Sequence, residues 1–271
     1  MNEGADHTVL RVEQATKQAG EYFDCAQATR RLFVLIVDTV LRVDFIAYTA
    51  KRALERDNLA ESTGETPELP EDERTLTPGE LAKSNPGPHT QELRRARQPL
   101  LELFVGRAVD NFETYVVSII REILRKQPAI LSNSKYDLEV KFILEHPTID
   151  SLVHDLIERK VEGLSYSGFE DLADWCKKQG IPLVVPAGKL DQVIELIATR
   201  NAIAHNRGVV DQKYLAIVGS SRFKVGEVRT LGGHDLFAAM SLLNRVVDAT
   251  DKLAVSSFGL DTVEVGFSEE Q

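Results

Sequence analysis

Ala198-Thr199-Arg200-Asn201-Ala202-Ile203-Ala204-His205-Asn206-Arg207-Gly208 closes an apolar-periodic segment in which Leu190, Val193, Ile194, Leu196 and Ile197 recur at three- and four-residue spacing. That spacing predicts an amphipathic helix laid on a core. Gly208 is the expected stop, because glycine accepts the left-handed conformation that closes a helix. Arg200, Asn201, His205 and Asn206 then fall in the last turns, where polar groups reach solvent. At about 100° per residue, Arg200 and His205 stand roughly 140° apart, whereas Asn201 and His205 share a face. A site using both Arg200 and His205 needs a curled arginine, a loosened last turn, or a second copy of the helix. The third option predicts a symmetric homodimer.

The rest of the chain reads as helices. Glu21 to Asp57 form one long helix or two joined ones, with Leu32, Phe33, Leu35, Ile36, Val40, Val43, Phe45 and Ile46 apolar. A set that wide calls for packing on the downstream domain or another subunit, and a core helix is the plain reading. Asp38 and Arg42, four apart, can pair on its exposed side. Gln98 to Lys126 form a second strong helix, apolar around much of its circumference and interrupted by Asp110, Asn111 and Glu113. Shorter helices are expected over Lys135–Glu145, Ile149–Lys160 and Phe169–Gln179, the last capped by Ser165 or Ser167. Another follows over Asp211–Val218. Arg222 to Leu231 alternates charged and apolar residues around Gly226, which fits a small hairpin or extended loop. Asp235 is the expected N-cap of a closing helix through Leu253, with Leu236, Phe237, Met240, Leu243, Val246 and Val247 inward. A strand is expected near Val263 to Phe267.

Between residues 61 and 92 the composition shifts to prolines, glycines and a cluster of acids from Glu65 to Glu73. Such a stretch has little apolar surface with which to offset its ordering entropy, so little regular structure is expected. The organisation expected is an N-terminal helical segment (1–60), an acidic Pro-rich linker (61–92), a helical domain (93–256) and a tail (257–271). The fold class is all-α, a helical bundle with a long N-terminal helix and a minor hairpin or loop.

The 271 residues are 43% hydrophobic, enough for a substantial core, and carry a formal net charge of −10. That charge argues against a general nucleic-acid coating protein. Locally the balance reverses. From Gly188 to Arg229, Lys189, Arg200, Arg207, Lys213, Arg222, Lys224 and Arg229 outnumber Asp191, Glu195, Asp211 and Glu227, and a groove there could pair guanidinium with phosphate. Cys25 and Cys176 lie far apart without ligand-spaced neighbours, and His146 and His154 do not converge with other ligands, so neither a metal nor a disulfide framework is expected. The polar first thirty residues do not resemble a secretion signal, and Asp38, Arg42 and Asp44 interrupt the apolar run from Leu32 to Tyr48. The expectation is a cytoplasmic protein with no membrane span.

Arg200, Asn201 and, five positions after the arginine, His205, at the end of a late long helix in an all-helical chain, resemble the signature of the HEPN superfamily over residues 95 to 255. The resemblance implies a helical HEPN-like domain. It also implies a metal-independent RNA endonuclease without a cofactor, of the kind found as toxins of toxin-antitoxin pairs and as antiviral-defence effectors, with a site built from two helices at a dimer interface. Asn111-Phe112-Glu113 resembles the first helix of such domains, which makes Glu113 a candidate to orient Arg200.

The chemistry is coherent. An RNA 2′-hydroxyl attacks the adjacent phosphorus, leaving a cyclic phosphate and a free 5′-hydroxyl. An imidazole at a helix C-terminus suits a general acid, the role given to His205. Arg200 would hold phosphate oxygens and Asn201 would orient the phosphate or His205. Asn206, Arg207 and Lys213 are supporting candidates for holding RNA. No general base stands out in one chain, and a second His205 in a dimer would fill that role. A neutralising or regulatory protein is a further expected partner. The alternatives are a non-catalytic HEPN-like interaction module and a nucleotide-binding partner protein, since some members of the superfamily are inactive and the same basic patch suits a mononucleotide.

Overall fold

The computed structural model describes residues 10–64, 68, 70, 75–133, 139–166, 168–219 and 222–268. Among them the order is β1 (Leu10–Ala15), α1 (Lys17–Thr63), α2 (Pro78–Ser84), α3 (Pro88–Arg95), α4 (Arg97–Lys126), a 3-10 turn (Pro128–Asn133), α5 (Val140–Leu144), α6 (Ile149–Tyr166), α7 (Phe169–Gln179), α8 (Leu190–Asn206), α9 (Gln212–Val218), α10 (Gly233–Phe258) and β2 (Val263–Ser268). The fold is all-α with one small sheet. Two compact units divide the chain, Met1–Gln27 with Val105–Gln271, and Ala28–Phe104. The division falls inside α1 and α4 rather than in the Pro-rich stretch.

In the first unit, α4 supplies Phe112, Tyr115, Val116, Ile119, Ile123 and Leu124, all nearly inaccessible to solvent. Burial around most of the circumference is what a helix apolar on nearly every side requires. Helix α10 adds Leu236, Leu243, Val246 and Val247, and α8 adds Val193 and Ile197. Phe237, expected to face inward, is 38% exposed.

Helix α10 runs from Gly232, its N-cap, and Asp235 sits at the third helical position instead of the cap; its carboxylate accepts the Gly232 N–H at 2.7 Å. Strand β2 pairs antiparallel with β1, from Leu10 opposite Ser268 to Ala15 opposite Val263. Just after β1, Thr16 donates through its N–H (2.9 Å) and hydroxyl (2.5 Å) to the buried Asp251 of α10. Tyr22 of α1 donates to Asn244 at 2.8 Å. Gly20 lets the first turn of α1 approach β2, where a β-carbon would meet Val265 at 3.1 Å.

Other local expectations are met in part or adjusted. Helix α7 begins after Gly168 without a side-chain cap; Ser165 instead bonds the Val161 carbonyl of its own helix, and Ser167 lies outside the described residues. Of the helix expected over 135–145, Val140–Leu144 is helical, and 134–138 lie outside the described residues. Of the hairpin or extended loop expected over 222–231, the extended loop is present: Val228 bridges back to Val209, with Val210 N–H to Glu227 O and Arg229 N–H to Gly208 O both 2.8 Å. Helix α6 continues six residues beyond Lys160, to Tyr166.

The second unit corrects the expectation of an irregular linker. Residues 78–95 carry two helices, each opened by proline at its first position, where the missing N–H costs nothing. Thr77 and Glu80 form a reciprocal capping box on α2. The acid cluster of 65–73 lies almost entirely outside the described residues. Asp44 of α1, only 5% exposed, accepts the N–H groups of His89 (3.3 Å) and Thr90 (2.6 Å) at the start of α3. Burial alone would raise its pKa, but the Thr90 and His89 hydrogen bonds overcome it and hold the carboxyl below its ordinary value. Phe33 packs edge-on against Phe104 at 5.2 Å, and Leu81 and Leu101 are buried. Asp38 and Arg42 pair as expected at 2.5 Å. The expectation of a plain core helix does not hold along the whole of α1: Leu32, Leu35, Val43 and Ile46 are between 43% and 64% exposed.

Candidate functional site

Helix α8 ends one residue earlier than the glycine stop predicts. Arg207 itself takes the left-handed cap conformation (φ 53°), followed by Gly208 (φ 75°). That geometry costs a non-glycine residue about 1 kcal/mol. The turn is fastened locally, with the Gly208 N–H on Ala202 O (2.9 Å) and the Asn206 side chain donating to Val209 O (2.7 Å). Ala198, Ala202, Val210 and Tyr214 pack beneath it, and Asp211 caps α9 through the Tyr214 N–H.

Arg200 turns toward α4. Its Nε and Nη2 both lie 2.5 Å from Asp110 Oδ1, and Nη1 donates to Asn201 Oδ1 at 2.8 Å. Glu113 Oε2 stands 4.0 Å from Nη1. Glu113 thus pairs with the guanidinium at the outer limit of an ion pair, as expected, while Asp110 holds it by direct hydrogen bonds. Burial raises the pKa of Glu113; Arg200 pulls it down and Asp110 pushes it up again, with a net rise.

A guanidinium has five N–H donors, and these contacts engage three, so two remain for another ligand.

Arg200, Asn201, Asp110, Glu113 and Lys213 line one cleft of about 930 Å³, together with Arg121, Ser165, Tyr166 and the start of α7. His205 is exposed at the helix end and is not among the lining residues; neither are Asn206 and Arg207. One chain thus brings together Arg200, Asn201, Glu113 and Lys213, and leaves His205 apart, as the 140° separation anticipates.

Much of the local positive charge is met internally. Arg222 and Arg229 both pair with Glu195, at 2.5 and 3.1 Å, and Arg229 stacks over Phe223 at 4.8 Å. Arg121 is held by Glu158 at 3.0 Å. Among the described residues, Lys213 is the lining cation without a carboxylate in ion-pair reach. Sequence reasoning missed Asp110 and Glu195 as anchors. Asp110 carried a signal, since it sits three residues before Glu113 on the same face of α4.

Among the described residues no three His, Cys, Asp or Glu side chains are grouped to hold a metal ion, and no helix is long and apolar enough to cross a membrane. No family model matches the chain, and neither curated proteins nor solved structures give a significant match to it.

Proposed function

We propose that the chain is a metal-independent RNA endonuclease of the HEPN type, acting through 2′-hydroxyl attack to leave a cyclic phosphate. The observation that supports this reading most is the Asp110–Arg200–Asn201 arrangement at an open cleft: the guanidinium is oriented from behind by a carboxylate and keeps two donors for phosphate oxygens. His205 is exposed at the end of the same helix; in this reading it protonates the leaving 5′-oxygen of RNA that reaches beyond the cleft. The base is the His205 of a second copy, which makes the active form a homodimer. A toxin or antiviral-defence role, with a neutralising protein partner, belongs to the same reading.

A second reading, a non-catalytic interaction module or nucleotide-binding partner protein, is favoured by the internal pairing of Arg200, Arg222 and Arg229 with acids. Cleavage of a mixed RNA pool in EDTA separates the two. Cyclic-phosphate ends formed by the wild type and lost in a well-folded His205→Ala variant support the endonuclease. Equal traces from both proteins remove it, and saturable mononucleotide binding without cleavage then supports the nucleotide-binding alternative.

A further inference from the structure

Helix α1 carries a stripe that its own unit leaves uncovered. Ala28, Leu32, Leu35, Thr39, Val43, Ile46 and Ala50 are all exposed, with Leu35 at 61% and Ile46 at 64%. At about 100° per residue they fall within about 80° of the helix circumference. The intervals between them run four, three, four, four, three, four, and so read the same in both directions from Thr39.

This symmetry has a chemical counterpart. Two copies laid antiparallel with Thr39 on the two-fold axis set Leu32 against Ile46, Leu35 against Val43, and Ala28 against Ala50, so large side chains meet large ones and small meet small. A two-fold interface requires this self-complementarity. The charges agree. Asp38 and Arg42 flank the stripe on one side, and in an antiparallel pair that flank faces itself. Arg42, three positions past the axis, then lies about two residues, roughly 3 Å along the helix, from the partner's Asp38. A parallel pair would set the same flank against Ile36, Val40 and Ala47, where Arg42 finds no acid.

We propose that residues 28–50 of α1 form the isologous interface of an antiparallel homodimer with its two-fold axis at Thr39. The interface is independent of Arg200 and His205, so loss of nuclease activity and loss of this dimer are separate results.

The experiment is sedimentation of the full chain from micromolar to submillimolar concentration, beside Ile46→Glu, with circular dichroism to confirm folding. Self-association through α1 that weakens about tenfold or more in the variant is expected, whether the wild type sediments as a dimer or, with the separate His205 contact of the proposed nuclease, as a larger assembly. Cysteines then fix the orientation under mild oxidation, with the wild type as control for Cys25. Thr39→Cys links two chains, Leu32→Cys alone does not, and Leu32→Cys with Ile46→Cys does. A wild-type chain that stays monomeric overturns the proposal. So does a dimer indifferent to Ile46→Glu, which would be joined through another surface such as α8, and so does ready linkage of Leu32→Cys to itself, which marks a parallel pair.

Discussion

The carboxylate that fixes Arg200 belongs to Asp110, with two guanidinium nitrogens 2.5 Å from one of its oxygens, while Glu113 stands 4.0 Å away. The two acids lie one turn apart on α4 yet play opposite parts. If the chain acts as the endonuclease proposed above, Asp110→Asn should cost cleavage on the order of 10²-fold through a displaced guanidinium, with a smaller loss for Glu113→Gln. Initial rates on one RNA substrate, compared at equal secondary-structure content, decide this ordering.

Stability should separate them too. The Glu113 pKa is raised in the folded chain by burial foremost, so its ionised form is held less well folded than unfolded. Wild-type stability from this group is present at low pH and lost as pH rises through the folded value. Glu113→Gln should accordingly be as stable as wild type or more so at neutral pH, with the gap closing in acid. Urea midpoints across that range test it, and a variant less stable at neutral pH would sink the idea.

Asp44 titrates in the other sense. Its folded pKa is depressed by the hydrogen bonds from Thr90 and His89, which prevail over burial, so its contribution is present above the unfolded value of about 3.9 and lost as pH falls through the folded one. Asp44→Asn should destabilise unit 28–104 by about 1–3 kcal/mol at neutral pH and flatten its acid sensitivity. Gly87→Ala should cost a similar amount for a steric reason, because its φ of −71° is ordinary but its β-carbon would collide with the Asp44 carboxyl group. Denaturant unfolding of the two variants checks both.

Glu195 holds two arginines of unequal burial, Arg229 at 20% side-chain exposure and Arg222 at 67%. Arg222→Ala should cost no more than about 1 kcal/mol, as an exposed ion pair does. Glu195→Ala should cost about 2–3 kcal/mol, since it leaves the more buried guanidinium without its carboxylate. Equal effects in chemical denaturation would contradict this account of the 222–231 loop.

His146 donates from Nδ1 to the Phe142 carbonyl at 2.7 Å, and its Nε2 faces Asp155 Oδ2 at 2.8 Å. The Asp155 hydrogen bond first, and the Phe142 carbonyl second, raise the His146 pKa, and His146 lowers that of Asp155. The histidine's share of stability is complete below its unfolded pKa and fades as pH rises through the folded value. Wild type should lose stability relative to His146→Ala through that interval. Thermal unfolding between pH 5 and 9 reads it, about the ordinary value near 6.5.

The helices legible in the sequence were those whose burial is dictated by spacing. Leu100 to Leu124 is apolar around nearly the whole helix, and α4 runs close to where that pattern lies. The 78–95 helices were hidden because proline was read as a breaker, whereas Pro78 and Pro88 stand at first helical positions, where proline is favoured. Strand β1 was missed because six residues, Leu10 to Ala15, carry too little pattern without their partner, 248 positions away at Val263. At the site, spacing put Arg200 and Asn201 in the last turns of α8, but the close hold of Asp110 on Arg200, tighter than that of Glu113, depends on how two helices dock. The wide apolar set of α1 was visible, while which part stays open to solvent was not.

The pairing of β1 with β2 and of Thr16 with Asp251, 235 positions apart, also bears on the order of events during synthesis. Residues 28–104 leave the ribosome whole before most of the elements that complete their flanking unit exist. At about 5–20 residues per second, the stretch from 105 to 268 takes roughly ten to thirty seconds more to make. Through that interval Leu10 to Ala15 is an open strand edge without its mate, so the nascent chain stays exposed to mispairing until Val263 to Ser268 arrive.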